Sequence, residues 1–446
     1  MMIRTPAILI LICTLVACGG ASDPDPTSPV GGGDPALAKS TCFWAGPYVQ
    51  ENPETNFGLL DTAALYWSAD FVLPEGAQIE IGGDFAHGRY LSFNAYNAAG
   101  EATDALNDSR ILAEPGAVNP FLPGADRQIT ARGYRLLAVP EPPPADAAQR
   151  SPNTLYLSRA EDGRVQMLYR LYVPDQDQGD TGGVPLPSVT LLPAGGEPLA
   201  GEAACTALQS KGEVMPSSTT VLPESTYALL REQAFRAEGF PALDPPQWFK
   251  FFNSTAFGLC AYLQFCGGQP EANGGIYNNL DNSYVYSFVS RVFGPVVLLR
   301  GKLPLTPHTA SGEALAEAGE LRYWSICSYE AYTQRVEPQG CLYDEQLPLD
   351  EERRYTIVLS SPQDRPANAR PECGYAWLEW SPNGDGFGNL EDGQLLLRNL
   401  LAATEFPHSV QKVETPGSEA AVMGEYLPSI EYRDRAGVEA LGCGAS

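Results

Sequence analysis

The octapeptide Arg89-Tyr90-Leu91-Ser92-Phe93-Asn94-Ala95-Tyr96 returns in the second half of the chain as Arg322-Tyr323-Trp324-Ser325-Ile326-Cys327-Ser328-Tyr329, with Arg, Tyr, Ser and Tyr at the same four places. Other segments recur in the same order. Tyr66-Trp67 precedes ADFVLPEGAQIEIGG as Tyr284 to Tyr286 precede SFVSRVFGPVVLLRG; YRLLAVP from Tyr134 matches YTIVLS from Tyr355; NTLYL matches GYAWL; GRVQMLYRLYV matches GQLLLRNLLA. Self-similarity at a long period constrains a fold more than composition does, because each copy must be a structural unit of its own. The spacing between partners wanders, and insertions account for it: TPHTASGEALAEAG before the second octapeptide, and a longer loop around AEPGAVNPFLPGAD in the first copy.

The repeated segments are short, rich in Val, Ile, Leu, Tyr and Trp, and punctuated by the 44 glycines and 39 prolines, which favours strands and turns over long helices. In each octapeptide Leu91, Phe93 and Ala95, or Trp324, Ile326 and Ser328, fall on one face, and Tyr90, Ser92, Asn94 and Tyr96 on the other, as in a half-buried strand. The expectation is a mainly β protein of two tandem, duplicated antiparallel β-sandwich-like domains, residues 41–205 and 246–446. Residues 206–245 form the linker, with one helix over Ser225 to Glu238 (STYALLREQAFRAE) that stops at Gly239 and Pro241.

Residues 1–18 have the layout of an export signal: Arg4, an apolar run from Pro6 to Ala17 too short to span a bilayer comfortably, then small residues. Its end, Leu15-Val16-Ala17-Cys18, resembles the lipobox of bacterial lipoproteins. That resemblance implies that Cys18 carries the lipid (palmitate among its acyl chains) and becomes the mature N-terminus. It also implies an outer-membrane destination, since Gly19 is not the aspartate that favours inner-membrane retention. Residues 19–40, rich in Gly, Pro, Ser and Asp up to position 38, are a flexible tether. The membrane is then a partner through the lipid alone.

A net charge of −26 and only five lysines (Lys39, Lys211, Lys250, Lys302 and Lys412) argue against nucleic acid as a partner. Setting aside Cys13 and Cys18, eight cysteines remain: Cys42, Cys205, Cys260, Cys266, Cys327, Cys341, Cys373 and Cys443. An even number in an exported chain favours disulfides. Nearest-neighbour pairing would join Cys42 to Cys205 and keep the other six within the second half. With no C-x-x-C and three histidines, a zinc site is disfavoured.

No nucleophile elbow, P-loop, H-E-x-x-H or dinucleotide fingerprint occurs. Gly82 to Arg89 brings Asp84, His87 and Arg89 close in sequence, so Asp84 could orient His87 while Arg89 holds an anion. The bland alternative has Arg89 and Arg322 pairing, or capping carbonyls, at strand starts, since the second copy keeps the arginine without the histidine. No cofactor is expected; two acidic loops read either as solvated turns or as calcium sites. Asp175, Asp177 and Asp180 alternate in a Gly-containing turn, and the stretch from Ser381 to Asp392 sets Asn383, Asp385, Asn389 and Asp392 at spacings that partly resemble an EF-hand loop. The aromatics Tyr96, Trp248, Tyr277, Trp324, Trp377 and Trp380 offer either a stacking surface for sugar or peptide or plain packing.

The motifs Y-x-S-F-N-x-Y, P-G-x-V-N-P-F and Y-V-P-D with T-G-G-V-P-L-P resemble those of uncharacterised exported bacterial proteins, a resemblance that implies no activity. The functional expectation is a lipid-anchored, disulfide-braced cell-envelope protein that binds a glycan or protein without turnover. An extracellular polymer hydrolase and a structural envelope protein are the alternatives.

Overall fold

Each half alternates β-branched and aromatic residues with small or polar ones, and each folds into two packed sheets. The computed structural model describes residues 41–444 apart from 216–221, 232–237, 311, 314 and 316–318. The signal, Cys18 and the tether therefore lie outside the described residues.

In the first half the strands are β1 (Ala45–Tyr48), β2 (Ala64–Val72), β3 (Gln78–Asp84), β4 (Gly88–Tyr96), β5 (Ala102–Asn107), β6 (Gly133–Val139), β7 (Thr154–Tyr156), β8 (Arg164–Pro174), β9 (Ser188–Leu192) and β10 (Leu199–Ala200). They form sheets of order β1-β2-β8-β4-β5 and β10-β9-β3-β6-β7. The second half has β11 (Phe249–Lys250), β12 (Asn282–Ser290), β13 (Val296–Lys302), β14 (Leu321–Tyr329), β15 (Val336–Tyr343), β16 (Arg354–Ser360), β17 (Tyr375–Glu379), β18 (Asp392–Ala402) and β19 (Ser429–Arg433). Its sheets run β11-β12-β18-β14-β15 and β17-β16-β13-β19. Apart from β10, which has no counterpart, the second order repeats the first strand for strand, so the tandem duplication read from the octapeptides is a duplication of topology. The octapeptides are β4 and β14, at the same place in each sandwich.

Both copies depart from antiparallel pairing at the same point: β6 with β7, and β16 with β17, are parallel. A parallel partner needs a long crossover rather than a hairpin, and residues 140–153 and 361–374 supply it. Each sandwich closes on its own apolar core. Leu91, Phe93 and Ala95 meet Ile79, Ile81 and Leu136 in one; Trp324 and Ile326 meet Val297, Leu299 and Ile357 in the other.

The half-buried strand expected for the octapeptides is corrected by the packing. All nine residues of β4 are buried, because its second face is covered by the other sandwich. Tyr90 and Tyr172 cluster with Tyr323 and Leu400, while Tyr48 and Leu60 cluster with Tyr286, Phe288 and Tyr329. The two sandwiches thus belong to one compact unit. The aromatic surface goes the same way: Tyr96, Trp324 and Trp380 are fully buried and Trp248 nearly so.

Of the five α-helices among the described residues, the three longest lie between β10 and β12 in the chain. The one foreseen, α2 (Glu224–Arg231), begins one residue early; residues 232–237 lie outside the described part, and Glu238 is in a turn. Of the other two, α1 (Gly201–Leu208) straddles the start of the expected linker and α3 (Ser254–Leu263, capped by the Asn253 side chain on the Ala256 N–H) lies after it. Helix α1 carries Cys205 and closes the first sandwich through Cys42–Cys205. The remaining disulfides, Cys260–Cys266, Cys327–Cys341 and Cys373–Cys443, follow nearest-neighbour order within the second half. Among the described residues no helix is long and apolar enough to cross a membrane.

Candidate functional site

The recurring Arg, Tyr and Tyr of the octapeptides explain how the sandwiches meet. Arg89 of β4 reaches the 3-10 turn Asp344–Gln346 of the other half, with Nη1 2.5 Å from Asp344 Oδ1 and Nη2 on Glu345. Arg322 of β14 makes the reverse contact, 3.1 Å to Asp108 Oδ1 in the matching turn Asp108–Arg110, and also donates to the Arg89 carbonyl. The second oxygen of each aspartate accepts a strand N–H within its own half, Leu91 for Asp108 and Trp324 for Asp344. Tyr90 Oη donates to Asp281 at 2.7 Å, and Tyr323 Oη to Asp61 at 2.8 Å. Tyr96 Oη donates to the Asn278 carbonyl, Tyr329 Oη to that of Leu60.

The Arg–Asp, Tyr–Asp and Tyr–carbonyl contacts are each returned by a counterpart, the signature of an isologous interface, here formed within one chain. Each half lends the other the loop that ends in its Leu-Asp pair, Leu60-Asp61 or Leu280-Asp281. Burial pushes the carboxyl of Asp108 up to about 6 despite the Arg322 guanidinium beside it. Asp344 is raised by the same cause against Arg89. Desolvation outweighs pairing at both.

Where the lent loops converge, the joint leaves a cavity of about 140 Å³. Equivalent residues of the two halves line it in pairs: Tyr66 with Tyr284, Leu168 with Leu396, and Arg170 with Arg398. Phe57 to Leu60 and Ile276 to Asn279 close it from either side. Gly58 and Ile276 are exposed at its rim, while both arginines are buried.

The arginines differ in their partners. Arg398 lies 3.6 Å from Asp61 Oδ2 and donates to Tyr329 Oη and the Leu59 carbonyl. Arg170 donates to Asn94 Oδ1 and, at 2.6 Å, to the Tyr277 carbonyl. Its guanidinium sits over the rings of Tyr66 and Tyr96. Among the described residues no carboxylate lies within 4.0 Å of Arg170. It is a buried cation held by neutral acceptors only.

No family of known proteins matches the chain, and no curated protein matches it. Among solved structures it is similar to an uncharacterized protein from Burkholderia cenocepacia, at 13% identity over 90% of this chain and 84% of that one, with a TM-score of 0.46. It is also similar to a protein from Vibrio parahaemolyticus, at 10% identity over 88% and 92% of the two chains, with a TM-score of 0.42.

The residues singled out from sequence lie elsewhere. Asp84, His87 and Arg89 are not drawn together. Arg89 turns into the joint, His87 Nδ1 lies 2.9 Å from Arg132 Nη1, and Asp84 is exposed at the end of β3. Burial first, and then the Arg132 charge, lower the His87 pKa. Asp175 is held by Arg127 at 2.5 Å, with Asp177 exposed and Asp180 partly so; these three do not come within 4.8 Å of one another as a ligand set.

In the loop before β18, Asp385 accepts from the N–H groups of Phe387 and Asn389, the Asn389 amide and Tyr227 Oη, which leaves it no free face for a cation. Asn383 donates to Glu330, and Asp392 pairs with Arg231 at 2.5 Å. Burial pushes the Asp392 carboxyl up to about 7. The one grouping of potential ligand atoms among the described residues is Asp61 with Cys327 and Cys341, whose sulfurs are joined to each other.

Arg170 and Arg398 went unremarked in the sequence, although both lie in repeats quoted above. The available signal was a lone arginine in an otherwise apolar strand, MLYRLYV and LLLRNLL, where a charge must be buried and therefore satisfied.

Proposed function

We propose that this is an exported, lipid-anchored protein of the bacterial cell envelope that binds a small molecule, without turnover, in the cavity between its two sandwiches. Four disulfides are the mark of a chain that folds in an oxidising compartment, outside the cytoplasm. The lipobox supports the anchor at Cys18 and the outer membrane as its place.

The observation that carries the binding reading is the cavity itself. It lies at a joint between domains, where ligand sites concentrate; it has apolar walls and a few convergent polar groups; and matching residues of both halves build it. None of His87, His308 and His408 lines it, so it offers no imidazole base, which favours binding over hydrolysis. The aromatics that might have stacked on a glycan are mostly buried in cores, so the ligand is assigned to the cavity.

The test is a panel of small neutral, anionic and cationic organic molecules scanned for saturable thermal stabilisation of the mature chain, repeated on Leu168→Phe, which fills the cavity. At least one class should stabilise the natural chain and lose its effect on the filled variant. If no class does, or if binding ignores the filled cavity, the reading fails. For the anchor, Cys18→Ser should move the protein from the membrane pellet to the soluble fraction.

A further inference from the structure

The identity of the ligand follows from what the cavity lacks, provided that the cavity is a binding site as read above. Three charged groups meet there: Arg170, Arg398 and, behind Arg398, Asp61. Their sum is one positive charge, and it resides on Arg170. A buried guanidinium with no counter-charge is costly and persists where something compensates it in use. The phenols nearby do not serve, because burial raises the pKa of Tyr66, Tyr172's neighbour Tyr284 and Tyr96 and keeps these rings neutral. The missing partner is therefore one negative charge brought in from outside.

The rest of the cavity defines what carries that charge. Leu168, Leu396, Met215, Phe57, Phe251 and Ile276 supply the apolar part of its lining, from both sides, beside tyrosine and asparagine side chains. Its volume of about 140 Å³ is close to that of an apolar protein cavity known to take up benzene, roughly 150 Å³. Such a space admits one six-membered ring or a short alkyl chain. A sugar would set its hydroxyls against leucine and phenylalanine. A phosphate dianion would bring more charge than Arg170 balances and leave the apolar volume empty.

We propose that the cavity takes a small monocarboxylate with an apolar body about the size of a benzene ring, its carboxylate on Arg170 and its body between Leu168 and Leu396. Arg170 presents a planar fork that matches a carboxylate. Tyr66 and Tyr284, one from each half, line the same cavity.

Benzoate is the probe, with benzamide as its neutral isostere, titrated calorimetrically into the disulfide-intact mature chain. Benzoate should bind saturably and at least tenfold more tightly than benzamide. Arg170→Met should weaken benzoate at least tenfold and leave benzamide within about twofold; Arg170→Gln, a polar replacement, keeps the test open if the methionine variant folds poorly. Arg135→Gln, which removes an exposed arginine outside the cavity lining, should keep benzoate binding within a few fold. Equal affinity for benzoate and benzamide, or benzoate affinity unchanged in both Arg170 variants, overturns the carboxylate assignment while leaving the cavity reading in place. Loss of neither probe in Leu168→Phe overturns the cavity reading itself.

Discussion

Arg170 and Arg398 occupy the same position in sister strands, β8 and β18, and face one cavity from opposite sides. Arg398 has Asp61 at 3.6 Å, whereas Arg170 has only an amide oxygen, a carbonyl and ring faces. The corresponding acid for Arg170 would be Asp281, whose Oδ2 is taken up by Tyr90 and Asn107. In the other half Asp61 receives Tyr323 and Ser325 and still lies within reach of its arginine. The joint is reciprocal, yet of the two sister arginines inside it one has a carboxylate beside it and the other has none. The joint is structural; the asymmetry inside it is where the proposed ligand would fit.

The largest effect should come from the joint. Arg89→Met strips Asp344 and Glu345 of their shared cation inside a buried interface. It should cost about 3–5 kcal/mol in a urea unfolding series. Arg322→Met should cost clearly less, because Arg322 is partly exposed. Equal losses would show that the two ends of the exchange are not distinguished by burial.

Next, removing Cys42–Cys205 by a double serine substitution should cost about 2–5 kcal/mol, since this bridge spans 163 residues and closes the first sandwich. The same change at Cys260–Cys266, which spans 6 residues, should cost less. Arg398→Met, which removes the neighbour of Asp61, should cost on the order of 2 kcal/mol, the remaining hydroxyl bonds to Asp61 softening the loss.

The smallest effect is a pH slope. Asp108 and Asp392 have folded pKa values raised to about 6 and about 7, above the ordinary aspartate value near 3.9. Groups raised in this way stabilise the fold most fully below that ordinary value, and the contribution is lost as pH climbs through the folded values. The melting temperature should therefore decline from pH 4.5 to 7.5, and Asp108→Asn should flatten the lower part of that decline. A melting temperature that rises across the window would contradict the desolvation argument.

Much of the fold was legible because strand alternation and internal repetition are local signals: the β class, the two copies and the order of disulfides all follow from segments a few residues long. The burial of both faces of β4 was not legible, since nothing in RYLSFNAY distinguishes water from a second sandwich on the tyrosine side. The same ambiguity hid the site. Asp84, His87 and Arg89 drew notice because they are neighbours in sequence, yet Asp84 ends β3, His87 lies in the bend between strands and Arg89, in β4, is committed to the joint. Arg170 stood inside a matched repeat, but its meaning depends on the distance to Asp281, which only the folded chain sets.

The account rests on Arg170 being a buried cation without a counter-charge in the free protein, and the stability of Arg170→Met in the absence of ligand measures that directly. Replacing an uncompensated buried charge by an apolar side chain of similar volume should leave the urea unfolding free energy within about 1 kcal/mol of the natural chain or raise it. A loss of about 3 kcal/mol or more would mean that the charge is already compensated inside the fold, and the central claim would be wrong.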